Sequence, residues 1–239
     1  MQMPRRIAIP VVLVLFGAAV FARLGVWQLH RLAERRAWNA HLEQRLASPP
    51  VPVAALPADS AAGHYRRVSA RGIFDFASQV ALAGRSSQGS PGVHLLTPLR
   101  LADGAVVLVN RGWVYAPDAM TVDAARWREH EGDTVVVTGY AETWSGTETV
   151  PVPPTQHVVR TLDSTAVATR VGAPVLRYFI VQTSDSAAAP ARPVRLGEPV
   201  LDDGSHRSYA VQWFSFSLIA LVGGALLVRE EVVRRRGTA

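Results

Sequence analysis

The 239-residue chain contains no cysteine, and its 25 basic residues are all arginine. Without thiols there are no disulfides, no thiolate nucleophile, no copper relay through sulfur and no covalent c-type haem attachment. A chain lacking cysteine is compatible with either redox compartment. The absence of lysine reads as genome composition and not as mechanism. Also missing are a glycine-rich phosphate loop, an HExxH pair and a nucleophile elbow. The seven histidines are scattered, and no two share a helix at metal-ligand spacing.

Charge is sparse and unevenly placed. The net charge of +6 would fit nucleic acid if it were spread over a folded domain. Residues 49–205 instead hold 13 arginines against 15 acidic residues, and the flanks hold 12 arginines against four. The basic excess therefore lies beside two apolar runs, where topogenic and lipid-facing arginines belong. This excludes nucleic acid as the expected partner and points to a bilayer.

The first apolar run is Ile7–Ala22, preceded by Arg5 and Arg6 and extended by LGVWQL to about 20 residues. Val20-Phe21-Ala22 also fits a signal-peptide cleavage site. The helical pattern continues past it, however, with Leu32, Leu42 and Leu46 near helical spacing. The second run, Tyr209–Val228, is 20 uncharged residues, edged by Tyr209, Trp213 and Phe214 as interfacial aromatics. Gly223 and Gly224 are expected where another helix packs closely. Arginines before the first run and after the second place both termini in the cytoplasm, although Arg31, Arg35 and Arg36 weaken the bias at the first.

The expected organisation is a cytoplasmic N-terminus at 1–6, a transmembrane helix at 7–27, a helical extension at 28–48 and a Pro/Ala linker at 49–63. A β-rich extracytoplasmic domain follows at 64–205, then a second transmembrane helix at 209–228 and a cytoplasmic basic tail at 229–239. Within the domain, alternation predicts strands at 64–75, 79–85, 92–101, 105–114, 133–142, 156–162 and 176–183. Asp103-Gly104 marks a tight hairpin. Short helices are expected near 123–130 and 163–172, and 142–155 is the most loop-like segment. Many short strands joined by local turns predict an antiparallel barrel or sandwich.

Two features stand out as candidate sites. In VLVNRGWV (107–114), Asn110 and Arg111 interrupt an apolar strand. Such a pair ends the strand, binds a partner group or is satisfied internally; the plain reading is a strand end, with Gly112 allowing a bulge. His206 stands three residues before the second span. An imidazole there fits either an exposed turn or an axial ligand to haem iron. Asp202-Asp203 reads as a solvated turn.

Four motifs in order resemble the Surfeit locus protein 1 family: LGVWQLHR (24–31), YRRVSARGIFD (65–75), VLVNRGWV (107–114) and HRSYAVQWF (206–214). GVHLLTPL (92–99) and VTGYAE (137–142) match more weakly. Ser205 departs from the asparagine usual before the histidine, and 157–163 keeps only the Arg160…Asp163 part of its motif. The resemblance implies a non-enzymatic assembly factor for a haem–copper terminal oxidase, in a bacterial plasma membrane. It would assist insertion or retention of haem a in the large oxidase subunit. It implies His206 as the candidate haem ligand, the only metal position expected, with Tyr209, Trp213 and Trp27 against the porphyrin. Gln28, Arg66, Arg67, Gly72, Asn110, Arg111 and Gly112 match family motifs and are expected to organise the domain or its oxidase contact. The expected partners are the large oxidase subunit, the haem a synthesis machinery and lipid. The alternative is a pure membrane scaffold that stabilises an assembly intermediate without binding haem. An enzyme would require Arg66, Arg67, Asn110 and Arg111 to meet in an exposed pocket.

Overall fold

The computed structural model describes residues 5–144, 157–183 and 193–236. They form two units: a helical one from Met1–Leu42 and Leu201–Ala239, and a β-rich one from Glu43–Val200.

In the helical unit, α1 (Arg5–Ala47, whose last turn belongs to the second unit) and α4 (His206–Arg236) are each long and apolar enough to cross a bilayer. Ile9, Val12, Leu13 and Phe16 of α1, like Leu218, Ile219 and Leu227 of α4, are more than half exposed. A surface of that kind suits an apolar solvent and is consistent with two membrane spans. The two helices run antiparallel: Val14 meets Gly224, Ala18 meets Ser217, Phe21 meets Trp213, and Gln28 meets His206. The contacting positions are separated by three, four or seven residues, the spacing that keeps one helix face on its neighbour. Of the two glycines expected at this seam, Gly224 occupies it, where a Cβ would lie 2.7 Å from Val14, and Gly223 faces open space.

The β-rich unit contains β1 (Val51–Pro52), α2 (Ser60–Gly63), β2 (Arg67–Phe74), β3 (Val80–Ser87), β4 (Ser90–Leu101), β5 (Val106–Tyr115), β6 (Thr134–Thr143), β7 (Val158–Val159), α3 (Ser164–Val171) and β8 (Tyr178–Gln182). The expected strands and short helices therefore appear, the helix near 123–130 as a 3-10 turn at Ala124–Trp127. The stretch 49–63, read as a linker, carries β1, a 3-10 turn with Val53 buried, and α2. From residue 145 to 156 the expected loop lies outside the described residues.

The antiparallel arrangement expected from local hairpins is corrected to a mixed sheet. The strand order is β1-β2-β6-β8-β5-β4-β3-β7, and β2 also pairs with β4. The β1–β2, β3–β7 and β5–β8 pairings are parallel. β8 is inserted between β5 and β6 by a connection that passes through α3, the long crossover that parallel pairing needs. Because β2 pairs with both β6 and β4, the sheet curls back on itself. Val68, Leu99, Val107, Val109 and Ile180, all fully buried, fill the inside of that curl.

β5 explains why its sequence does not alternate. Val107 and Val109 face the cluster just described, whereas Val106 and Leu108 join Val159, Val167 and Val171 in a second cluster that includes α3. A strand covered on both faces reads as a continuous apolar run. α3 is held at its start by Asp163, whose carboxylate accepts from Ala166 N at 2.8 Å, and ends at left-handed Gly172.

Candidate functional site

The strand VLVNRGWV does not end at its polar pair. β5 continues to Tyr115, and the register against β4 shifts by one: Leu96 faces Asn110, and Leu95 faces Gly112. Arg111 is the extra residue of a β-bulge. Gly112 follows with φ +132°, a backbone that side chains other than hydrogen rarely permit. The bulge turns Arg111 inward, where it is fully buried.

A buried guanidinium needs compensation at every polar edge. Arg111 Nη1 donates to Gln79 Oε1 at 3.0 Å, and Nη2 donates to Glu129 Oε1 at 3.1 Å. The cation lies 5.1 and 4.9 Å from the ring centroids of Phe74 and Phe76. Thr97 Oγ1 donates to the same Gln79 oxygen at 2.6 Å. Arg195 Nη1 donates to the Arg111 carbonyl and its Nη2 to Glu129 Oε1, both at 2.7 Å. Burial pulls the Arg111 pKa down to about 10 against the opposing pull of Glu129, which leaves it charged at neutral pH. Of the expected readings, internal pairing accounts for both terminal nitrogens of Arg111, while its buried Nε has no hydrogen-bond partner among the described residues.

Asn110 is organised by the same bulge. Its Oδ1 accepts from Gly112 N at 3.2 Å, which turns its amide toward His94, 3.2 Å from Nδ1. The amide nitrogen can only donate, so His94 Nδ1 accepts and the ring is neutral. Burial, with the Arg85 charge second, lowers the His94 pKa from 6.5 to about 4. In the unfolded chain it titrates near its ordinary value. Between those limits the unfolded chain holds a proton that the folded chain does not. Stability from His94 is therefore complete above about pH 6.5 and is lost as pH falls toward 4. The full loss is about 3 kcal/mol at 1.36 kcal/mol per unit. Thermal melts of the detergent-solubilised protein at pH 7.5 and pH 5 should show His94→Leu with a shallower acid loss than wild type. Parallel acid limbs would refute the assignment.

Among the described residues, Arg66 and Arg67 are partly exposed and make no hydrogen bond with Asn110 or Arg111, which are buried. With Asn110 and Arg111 buried, the four do not form one exposed site. Gly72 stands where β2 crosses closest to β4.

The second candidate lies in the helical unit. His206 is the first residue of α4, and its Nδ1 is 2.8 Å from Gln28 Oε1 of α1. Among the described residues Nε2 has no hydrogen-bond partner. The turn before His206 is exposed, and side chains of α1 tie it down. Arg36 donates to Asp203 Oδ2 through Nε (2.9 Å) and Nη2 (2.7 Å), while Asn39 Nδ2 and Arg35 Nε donate to the Asp202 carbonyl at 2.7 and 3.2 Å. Trp213, two turns along the same face of α4, stacks on Phe21 at 5.9 Å, and Phe216 lies edge-on to both. Tyr209 and Trp27 are about half exposed and touch no other ring among the described residues. The structure thus brings His206 and Gln28 together and seats Trp213 between the helices. It leaves Tyr209 and Trp27 facing outward.

Sequence reasoning missed Glu129, Gln79 and Arg195 as the partners of Arg111, and it missed the Arg36–Asp203 pair. None carries a local signal, because each partner is remote in sequence.

The sequence profile of the SURF1 family matches residues 15–218. The chain is 30% identical to a SURF1-like protein of Monosiga brevicollis, over 87% of this chain and 83% of that one. It is 28% identical to an uncharacterized SURF1-like protein of Mycobacterium bovis, over 98% of this chain and 87% of the relative. Surfeit locus protein 1 of Rattus norvegicus is 26% identical, over 84% of this chain and 69% of the rat protein.

Proposed function

This chain belongs to the SURF1 family, and from that premise we propose that it is an assembly factor for a haem–copper terminal oxidase. In this reading it sits in a bacterial plasma membrane through α1 and α4. Arg234–Arg236 in the last turn of α4, and Arg5 and Arg6 at the start of α1, mark the cytoplasmic side, and the β-rich unit is extracytoplasmic. Its partners are the large oxidase subunit, the haem a synthesis machinery and the surrounding lipid. No reaction is assigned to it. Its work is to hold a client, or the client's cofactor, in the state that accepts the next assembly step.

The observation that carries a haem-handling role is the setting of His206. An axial ligand must offer a ring nitrogen with a free lone pair, oriented by a bond at the other nitrogen. Nδ1 is engaged by Gln28, and Nε2 has no partner among the described residues. The residues present fit the group on that criterion. His206 would hold the iron, and exposed Tyr209 and Trp27 offer apolar surface beside it. When bound, haem a supplies electron-transfer and oxygen chemistry to the oxidase, and this chain only carries it.

The test is an optical spectrum of the full chain, purified in detergent from cells that make haem a, beside His206→Ala. A haem a spectrum in wild type that is lost in the variant is the expected result. A spectrum retained in the variant removes His206 as ligand. Absence from both, with haem a demonstrated in the cells, favours a scaffold that binds no haem.

A further inference from the structure

We propose that Gln28 is the positioning residue for His206: its Oε1 holds the hydrogen of Nδ1 and thereby presents Nε2 as the ring's one available lone pair. The proposal rests on the haem-handling reading only for its purpose. The tautomer itself is a property of this chain.

Burial is the first support. Gln28 is 8% exposed, while its neighbours Trp27 and Leu29 are 49% and 46% exposed. The amide is therefore turned onto the seam with α4, in line with Ala18, Phe21 and Gly25. A buried amide without a partner is costly. Among the described residues its one side-chain hydrogen bond is the 2.8 Å contact to His206 Nδ1. A carbonyl oxygen can only accept, so the histidine nitrogen facing it must carry the hydrogen.

The backbone beneath the ring is fixed independently. Arg35, Arg36 and Asn39 of α1 grip Asp202 and Asp203, and Gly204 N donates back to Asp202 Oδ1 at 3.2 Å. α1 thus holds both the turn that delivers His206 and the ring itself. Gly204 has φ +65°, and a Cβ there would sit 3.8 Å from Nε2. With glycine in place, the outward edge of the ring stays uncovered. The result is the arrangement in which an outer partner at one imidazole nitrogen fixes tautomer, direction and basicity for a ligand at the other.

The experiment is nitrogen NMR of the full chain, ¹⁵N-labelled at histidine, in detergent micelles without haem, at a pH where imidazole is neutral. Subtraction of the His206→Ala spectrum assigns the ring. Wild type should show a protonated Nδ1 and a bare Nε2. Gln28→Leu should move His206 to the protonated-Nε2 form that free histidine prefers in water. Gln28→Glu, which keeps an acceptor, should retain the wild-type tautomer and guards against a folding defect in the leucine variant. Ferric haemin titrated into the same proteins should bind Gln28→Leu about tenfold more weakly than wild type. An Nδ1 hydrogen that persists in Gln28→Leu, or an unprotonated Nδ1 in wild type, overturns the proposal. If the tautomer shifts as stated but wild type binds haemin no better than His206→Ala, Gln28 still controls His206 and the haem reading fails.

Discussion

Replacing Glu129 with glutamine is expected to destabilise the β-rich unit by about 3–5 kcal/mol, the usual consequence of leaving a buried charge without its partner. Among the described residues, Glu129 is the only carboxylate that reaches Arg111, whose side chain is fully buried. Its Oε1 accepts from both Arg111 and Arg195, so the substitution leaves a guanidinium that burial already penalises with no counter-charge. For a unit of this size the drop in Tm should be on the order of 10 °C. It is measured by thermal melting of the full chain in detergent, followed by the β signal in circular dichroism.

The sign of a second substitution separates electrostatics from packing. Arg111→Met keeps much of the volume beside Phe74 and Phe76 and removes the charge. On the Glu129→Gln background it should recover part of the lost stability, because the more deeply buried of the two cations that share Glu129 is gone. If Glu129→Gln melts within about 0.5 kcal/mol of wild type, the buried pair contributes nothing net. If the double variant is additive, the loss came from packing and not from charge.

These partners also show where the sequence stops being legible. The alternation of β2 and β6, the Asp103-Gly104 hairpin and the two apolar runs are local patterns, and the fold follows them. Arg111 read as the end of a strand because a charge inside VVLVNRGWV has no local partner. Gln79 lies 32 residues away, Glu129 18 and Arg195 84, and no periodicity links them. The one-residue register shift that turns Arg111 inward belongs to the pairing of β5 with β4, not to either strand alone. The same holds for β8. Its composition announces a strand, but nothing in it specifies a parallel neighbour. At the other site, His206 and Gln28 were each visible as motif residues. Their hydrogen bond spans 178 residues and arises because two helices, each with its own heptad-like stripe, pack antiparallel. Trp213 fell on the buried stripe for that reason, and Trp27 and Tyr209 fell off it.

Gly72→Ala should lower stability by about 3 kcal/mol or more, although it adds a single methyl group. A Cβ at Gly72 would lie 2.2 Å from the Arg100 carbonyl oxygen and 2.9 Å from its carbon. Those are backbone atoms of β4, so relief cannot come from a rotamer change. β4 is tied along its length to β5, and β2 is tied along its length to β6. To make room, the β2–β4 pairing at Gly72–Phe74 and Leu99–Leu101 must open, and that pairing is where the sheet meets itself. The damage should therefore appear as a loosened unit and not as a lost strand. Far-ultraviolet circular dichroism should change little at low temperature, while the melt shifts down and proteolysis accelerates. Gly197→Ala is the control, since a Cβ there meets nothing within 4 Å, and it should stay within about 0.5 kcal/mol of wild type. Equal melts for the two alanine variants would mean that β2 and β4 have slack at their crossing. The closeness of that crossing would then not be what reserves position 72 for glycine.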